Sequence, residues 1–169
     1  SGIEIHNPIT NAAFTGKGGP LDRYNTQATA RSLRDKGLSI PAFDSSVDIS
    51  AGEQQVQDAK DLIDLAQAAS VGMVFGFLLF PAKKGDNRVN YLPWYDVVLL
   101  IESSGIFSST SRLTDIMDRY ASDYLGALWD VHNVYRVGGE SPATTIKNLG
   151  AYVKHVHMRD SDDDGSFNL

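Results

Sequence analysis

The strongest constraint on this chain is a series of six short strand-like runs, most of them without clean apolar–polar alternation. They are "GIEIH" (2–6), "LSIPAF" (38–43), "VGMVFGFLLF" (71–80), "DVVLLIES" (96–103), "LGALWDVH" (125–132) and "AYVKHVHMRD" (151–160). A strand with one wet face alternates, whereas a near-continuous Val/Ile/Leu run is covered on both faces. The stretches between the runs read as helices. Residues 21–37 form a helix stopped by Gly37, and 50–70 a helix with Ser50 as N-cap and Glu53 three residues on. Val56, Ala59, Leu62, Ile63 and Ala66 fall on one face of that second helix. Residues 109–122 and 141–150 complete the set, the last with Pro142 in its first turn and Gly150 at its end. Strands spaced by helices make parallel βαβ units, and two architectures satisfy that: a doubly wound sheet or a (β/α)8 barrel.

The stretch 81–95, "PAKKGDNRVNYLPWY", breaks the rhythm. It holds two prolines and no convincing helix, although a parallel crossover usually carries one. A crossover helix is therefore expected to be missing. The Gly-rich "TGKGGP" (15–20) precedes a helix but has neither G-x-G-x-x-G spacing nor a Lys-Ser/Thr pair, which weighs against a nucleotide fold.

Composition narrows the partners. The formal net charge of −6 disfavours a nucleic-acid backbone or an anionic membrane as partner. A small phosphate-bearing molecule remains compatible, since it needs one or two donors only. No apolar run approaches the roughly 18 residues that would span a bilayer. No signal-peptide pattern opens the sequence, and there is no cysteine, so a cytoplasmic setting is expected. The 169 residues are read as one domain.

Three of the apolar runs end in a metal-type ligand: "VVLLIE" in Glu102, "LGALWD" in Asp130 and "VKHVH" in His157. In parallel α/β folds the C-terminal ends of the strands share one rim, and that rim carries the site. Two carboxylates and an imidazole suit Mn²⁺, Zn²⁺, Co²⁺ or Fe²⁺, with Mg²⁺ less well matched. The plainer alternative is that Glu102 or Asp130 is a turn residue or the N-cap of the next helix, and His157 a hydrogen-bonded structural histidine. His155 and His157 are expected to face opposite layers, His155 in a structural role. Arg136 and Arg159 are either anion partners or members of a solvated face. Trp129 and Tyr135 are read as packing, with Tyr135 able to wall a pocket. "DSDDDG" (160–165) is read as a solvated loop, because no Glu closes it as a calcium loop would require.

Taken in order, "LLIESSG … ALWDVHNVYRVGGESP … YVKHVHMRD" resembles the xylose-isomerase-like TIM-barrel superfamily of sugar phosphate isomerases and epimerases. "GIEIH", "DKGLSIPAFDSS" and "AKDLIDLAQAASVG" resemble its earlier repeats. The resemblance implies an incomplete (β/α)8 barrel, strands two to seven present and the first and last missing. It implies that Glu102, Asp130 and His157 are three of four ligands of a divalent ion (Mn, Zn, Co or Mg), with Glu102 also an acid/base carboxylate. The fourth ligand, a Glu on the last strand, has no counterpart. Where the family often carries a substrate-contacting His, three residues after the Asp, this chain has Asn133, with His132 one residue earlier. Where sugar epimerases often carry another Glu, six residues past the first, it has Ser108. Arg159 and Asp160 join His132 and Asn133 as candidate substrate contacts, and Asp160 is also placed to orient His157.

The implied function is metal-dependent isomerisation or epimerisation of a sugar or sugar phosphate, by proton transfer through an enediolate. Two alternatives stand beside it. One is a catalytically degenerate, sugar-binding barrel, whose open sheet edges are a route to aggregation or to pairing with another chain. The other is a relative of abasic-site endonucleases, disfavoured by four histidines and an acidic balance.

Overall fold

The computed structural model describes residues 1–47, 53–76 and 96–162. Six parallel strands lie in one sheet and are hydrogen-bonded in chain order: β1 (Ile5–His6), β2 (Ala42–Ser45), β3 (Met73–Gly76), β4 (Val98–Glu102), β5 (Leu125–Asp130) and β6 (Val153–His157). That order decides between the two architectures. A doubly wound sheet reverses its strand order at a switch point, whereas a barrel adds each strand beside the last. The fold is thus an incomplete (β/α)8 barrel. Its helices are α1 (Ala12–Thr15), α2 (Thr26–Asp35), α3 (Glu53–Ala69), α4 (Thr110–Arg119) and α5 (Pro142–Leu149). None of the described helices is long and apolar enough to cross a membrane. The chain divides into two compact units, Ser1–Leu99 and Leu100–Leu169.

In the first unit β2 is the central strand. Phe43 stands in register with Ile5 of β1 and Val74 of β3, and is fully buried. Helix α2 begins at Thr26, five residues later than its sequence pattern suggests. The cause is Asp22, whose carboxylate accepts the amide protons of Gly18 (2.8 Å) and Tyr24 (2.6 Å) and holds the preceding residues in a turn. The end is as expected: Gly37 takes φ +68°, and the Leu38 amide donates to the Leu33 carbonyl at 2.9 Å. Helix α3 buries Leu62, Ile63, Ala66 and Ala69, so the apolar stripe read from the sequence is the packed face. Its expected N-cap, Ser50, lies outside the described residues, as do the stretch 81–95 and residues 163–165 of the loop 160–165. The second strand is displaced: Leu38–Pro41 precede it, and only an isolated bridge between Gly2 and Ser39 marks pairing there.

In the second unit β4 and β5 supply most of the core. Leu100, Ile101, Ala127 and Leu128 are buried, with Leu113 and Met117 of α4 and Leu149 of α5 packed over them. Helices α4 and α5 are joined by a polar cluster around Glu140. Its carboxylate accepts from the Thr110 hydroxyl, from the Thr110 amide (3.3 Å) and from the Thr145 hydroxyl (2.9 Å). Both threonines are fully buried. Glu140 thereby caps the N-terminus of α4, whose own cap residue Ser109 makes no side-chain cap bond. Ser141 caps α5 from inside its own loop, accepting from the Thr144 amide at 3.2 Å, with Pro142 following in the first turn.

Candidate functional site at the strand ends

The strand read over residues 125–132 stops at Asp130. Residues 131–137 are helical and finish in a π turn over Asn133–Val137. Such turns are uncommon and concentrate at functional sites. Asp130 explains the switch from strand to helix. It is 2% exposed, and its Oδ1 accepts the amide proton of Asn133 at 2.8 Å, the geometry of an N-cap. Its Oδ2 accepts from Asn133 Nδ2 at 3.1 Å and pairs with Arg159 Nη2 at 3.0 Å. Its own amide donates to the hydroxyl of Ser103 at 2.9 Å. Ser103 is fully buried, and its amide donates to the Leu128 carbonyl at 2.9 Å, binding the end of β4 to β5.

Glu102 is the last residue of β4 and half-buried. His157 is the last residue of β6 and stands in register with Asp130. All three candidate ligands therefore occupy strand ends in one unit. Their ligand atoms do not all lie within 4.8 Å of one another. Charge on Asp130 is balanced by the Arg159 guanidinium. Two carboxylates and an imidazole are donors of the type a divalent cation takes, but in this structure they are not gathered around one point, and Asp130 Oδ2 is paired with Arg159.

His155 and His157 do not face opposite layers. Their rings meet edge-on with centroids 5.4 Å apart. The reason is elementary: side chains of a strand repeat every two residues, so i and i+2 share a face. Both imidazoles belong to the face that carries Asp130.

The segment after β6 is strapped down. His132 Nε2 lies 2.9 Å from Ser161 Oγ, and Arg136 Nη2 donates to the carbonyls of Ser161 (3.1 Å) and Asp162 (3.3 Å). Asp160 turns its carboxylate onto the Ser161 amide at 2.8 Å. The candidate substrate contacts His132, Asn133, Arg159 and Asp160 are thus all engaged in protein hydrogen bonds. Arg136 serves backbone carbonyls here. Tyr135 is 57% exposed and does not pack, while Trp129 is partly buried. Sequence reasoning did not single out Ser103 or Ser161. A serine after a strand carries no periodic signal; only the folded partner reveals its role.

No protein-family model matches the chain, and no curated protein matches it. Solved structures do. A xylose isomerase domain protein from Planctomyces limnophilus aligns with a TM-score of 0.73 at 13% identity, covering 95% of this chain and 65% of that one. The fold is an incomplete TIM barrel. A probable 3-DHS dehydratase, AsbF, from Bacillus anthracis aligns with a TM-score of 0.72 at 17% identity, covering 96% of this chain and 64% of that one. A xylose-isomerase-like TIM-barrel protein from Mycobacterium smegmatis, in complex with magnesium, aligns with a TM-score of 0.60 at 18% identity, covering 87% of this chain and 61% of that one. The chain therefore spans less than two thirds of the length of these three similar structures, and the likeness establishes the fold.

Proposed function

We propose that the chain carries the site of a divalent-metal-dependent isomerase or epimerase acting on a sugar or sugar phosphate. The observation that carries this reading is the register of Asp130 with His157 at the ends of adjacent strands, next to a strand ending in Glu102. The names of similar structures, a xylose isomerase domain protein and a magnesium-bound xylose-isomerase-like barrel, support it.

The residues divide the work as follows. Glu102, Asp130 and His157 would hold the cation. When bound, it would supply positive charge beside the oxygens of a hydroxy-ketone, where negative charge develops. Glu102 takes a proton from the carbon next to the carbonyl and returns it to the neighbouring carbon. Ser103 and Asn133 hold the Asp130 carboxylate in place from its backbone and side-chain sides. Arg159 neutralises Asp130, which would have to give up that pairing to hold a cation.

Metal analysis of wild type, Glu102→Gln and His157→Ala tests the assignment, followed by a panel of ketoses and ketose phosphates with added Mn²⁺. Loss of bound metal in both variants is expected; unchanged content in both would refute the ligand set. One observation favours a second reading, a sugar-binding barrel without turnover: Arg159 already pairs with Asp130. If wild type binds sugars but neither takes up metal nor turns over any substrate, that second reading stands.

A further inference from the structure

The β5–β6 ladder shifts register once. Ala127 pairs with Val153, but Leu128 pairs with His155, so Lys154 is an extra residue on β6. Beyond that bulge the pairing runs on regularly to Asp130 and His157. His155 therefore stands opposite Leu128, and His157 opposite Asp130, on one face at the end of the strand. Leu128 is fully buried and has no polar side-chain atom, so it offers the His155 ring packing only. Both imidazoles are half-buried. Their centroids are 5.4 Å apart, and a ring nitrogen of one lies within 4.8 Å of a ring nitrogen of the other.

Two alternate histidines on one strand make a ready chelate. The backbone fixes both side chains to the same face, so bringing the second nitrogen to an ion costs little more than a ring rotation, and that torsion is soft. Two nitrogens on one zinc ion stand at most about 4.2 Å apart, twice a Zn–N bond of about 2.1 Å. The pair is thus within a small rotation of sharing an ion. Imidazole nitrogen suits Zn²⁺, Cu²⁺ and Ni²⁺, whereas Mg²⁺ prefers oxygen. We propose that His155 and His157 together chelate a transition-metal dication that favours nitrogen ligands, Zn²⁺ foremost, and that this pair sets which ion the chain takes. The chelate shares His157 with the proposed substrate site but needs neither Glu102 nor Asp130, so it stands apart from the isomerase reading. Asp130 keeps its bonds to Asn133 and Arg159.

The test titrates the full wild-type chain, His155→Gln, His157→Gln and Glu102→Gln calorimetrically with Zn²⁺ and with Mg²⁺, no substrate being present. Wild type is expected to bind Zn²⁺ more tightly than Mg²⁺, and the Zn²⁺ Kd should be at least about tenfold weaker in each histidine variant. Electron paramagnetic resonance of wild type loaded with equimolar Cu²⁺ reads the same pair without any substitution, and coupling to two imidazole nitrogens is expected. Equal Zn²⁺ affinities in wild type and His155→Gln, or coupling to a single nitrogen in wild type, would overturn the chelate. Glu102→Gln tells the two readings apart. Zn²⁺ binding that weakens in both histidine variants and not in Glu102→Gln supports the chelate and sinks the three-ligand set. Binding lost in Glu102→Gln and His157→Gln but kept in His155→Gln does the reverse.

Discussion

Replacing Asp130 by Ala separates the two things this carboxylate can do. Its Oδ1 caps the helical segment that follows through the Asn133 amide at 2.8 Å, and loss of such a cap costs about 1 kcal/mol. Its Oδ2 pairs with Arg159, which is 44% exposed, so solvent screening holds that pair to about 1 kcal/mol at most. Together Asp130→Ala should destabilise by roughly 2 kcal/mol, which for a chain of this size lowers Tm by about 4–8 °C. Asp130→Asn should fall between, because its amide oxygen can still cap while its NH₂ meets the donors of Asn133 or Arg159. Thermal unfolding followed by circular dichroism reads both. Repeating it with Mn²⁺ exposes the second role, since a ligand bound by the native state alone raises Tm by mass action. Wild type should gain and Asp130→Ala should not, while Arg159→Gln should gain more than wild type because no guanidinium competes. A Tm for Asp130→Ala within about 1 °C of wild type would refute the cap energetics. Equal Mn²⁺ shifts in wild type and Asp130→Ala would refute the ligand role and leave only the cap.

Three further outcomes follow from the same kind of reasoning. Glu140→Ala takes the acceptor from the buried Thr110 hydroxyl, leaves Thr145 only its longer bond to the Ser141 carbonyl, and uncaps α4, so it should destabilise by about 1–3 kcal/mol in urea, with Glu140→Gln recovering much of the loss. Gly126→Ala forces a methyl against Lys154 Cγ and Leu100 Cδ2 and should cost about 1–3 kcal/mol by the same measurement, a cost that Lys154→Ala should relieve. The carboxyl of Asp22 is held below its ordinary value of 3.8, chiefly by the Tyr24 amide and then the Gly18 amide, with Arg23 adding a smaller pull against the cost of burial. A depressed folded-state pKa contributes stability above pH 3.8 that is lost as pH falls below it, so the stability gap between wild type and Asp22→Asn should narrow on acidification through that range; a constant gap would refute the role of Asp22.

The repeat of strand and helix was legible because burial on both faces leaves a signature that survives without tertiary knowledge. β4 and β5, with Leu99–Ile101 and Leu125–Leu128 buried, are read directly from their apolar runs. The choice between a barrel and a doubly wound sheet does not lie in that pattern, since both use the same units and differ only in strand order; the family resemblance supplied it, and the strand order bears it out. Boundaries failed where a polar side chain overrode a pattern. Residues 21–25 look helical, but Asp22 offers the Gly18 and Tyr24 amides a better partner than a helix would. "LGALWDVH" looks like one strand, but Asp130 caps a helix at its sixth residue.

At the site, the order of Glu102, Asp130 and His157 along the chain was visible, and their shared placement at strand ends follows from it. What the order could not carry is competition for each side chain. Asn133 stood out in the sequence as a departure from a family pattern; in the fold it donates to both oxygens of Asp130. Arg159, a candidate for binding substrate, is in the fold the counter-ion of the same carboxylate. The partners of His155 and His157 carried no signal at all, because a bulge is a mismatch between two strands and neither strand alone contains it. It lies in the register between "LGALWD" and "VKHVH", which leaves Lys154 over and so sets His155 against Leu128 and His157 against Asp130.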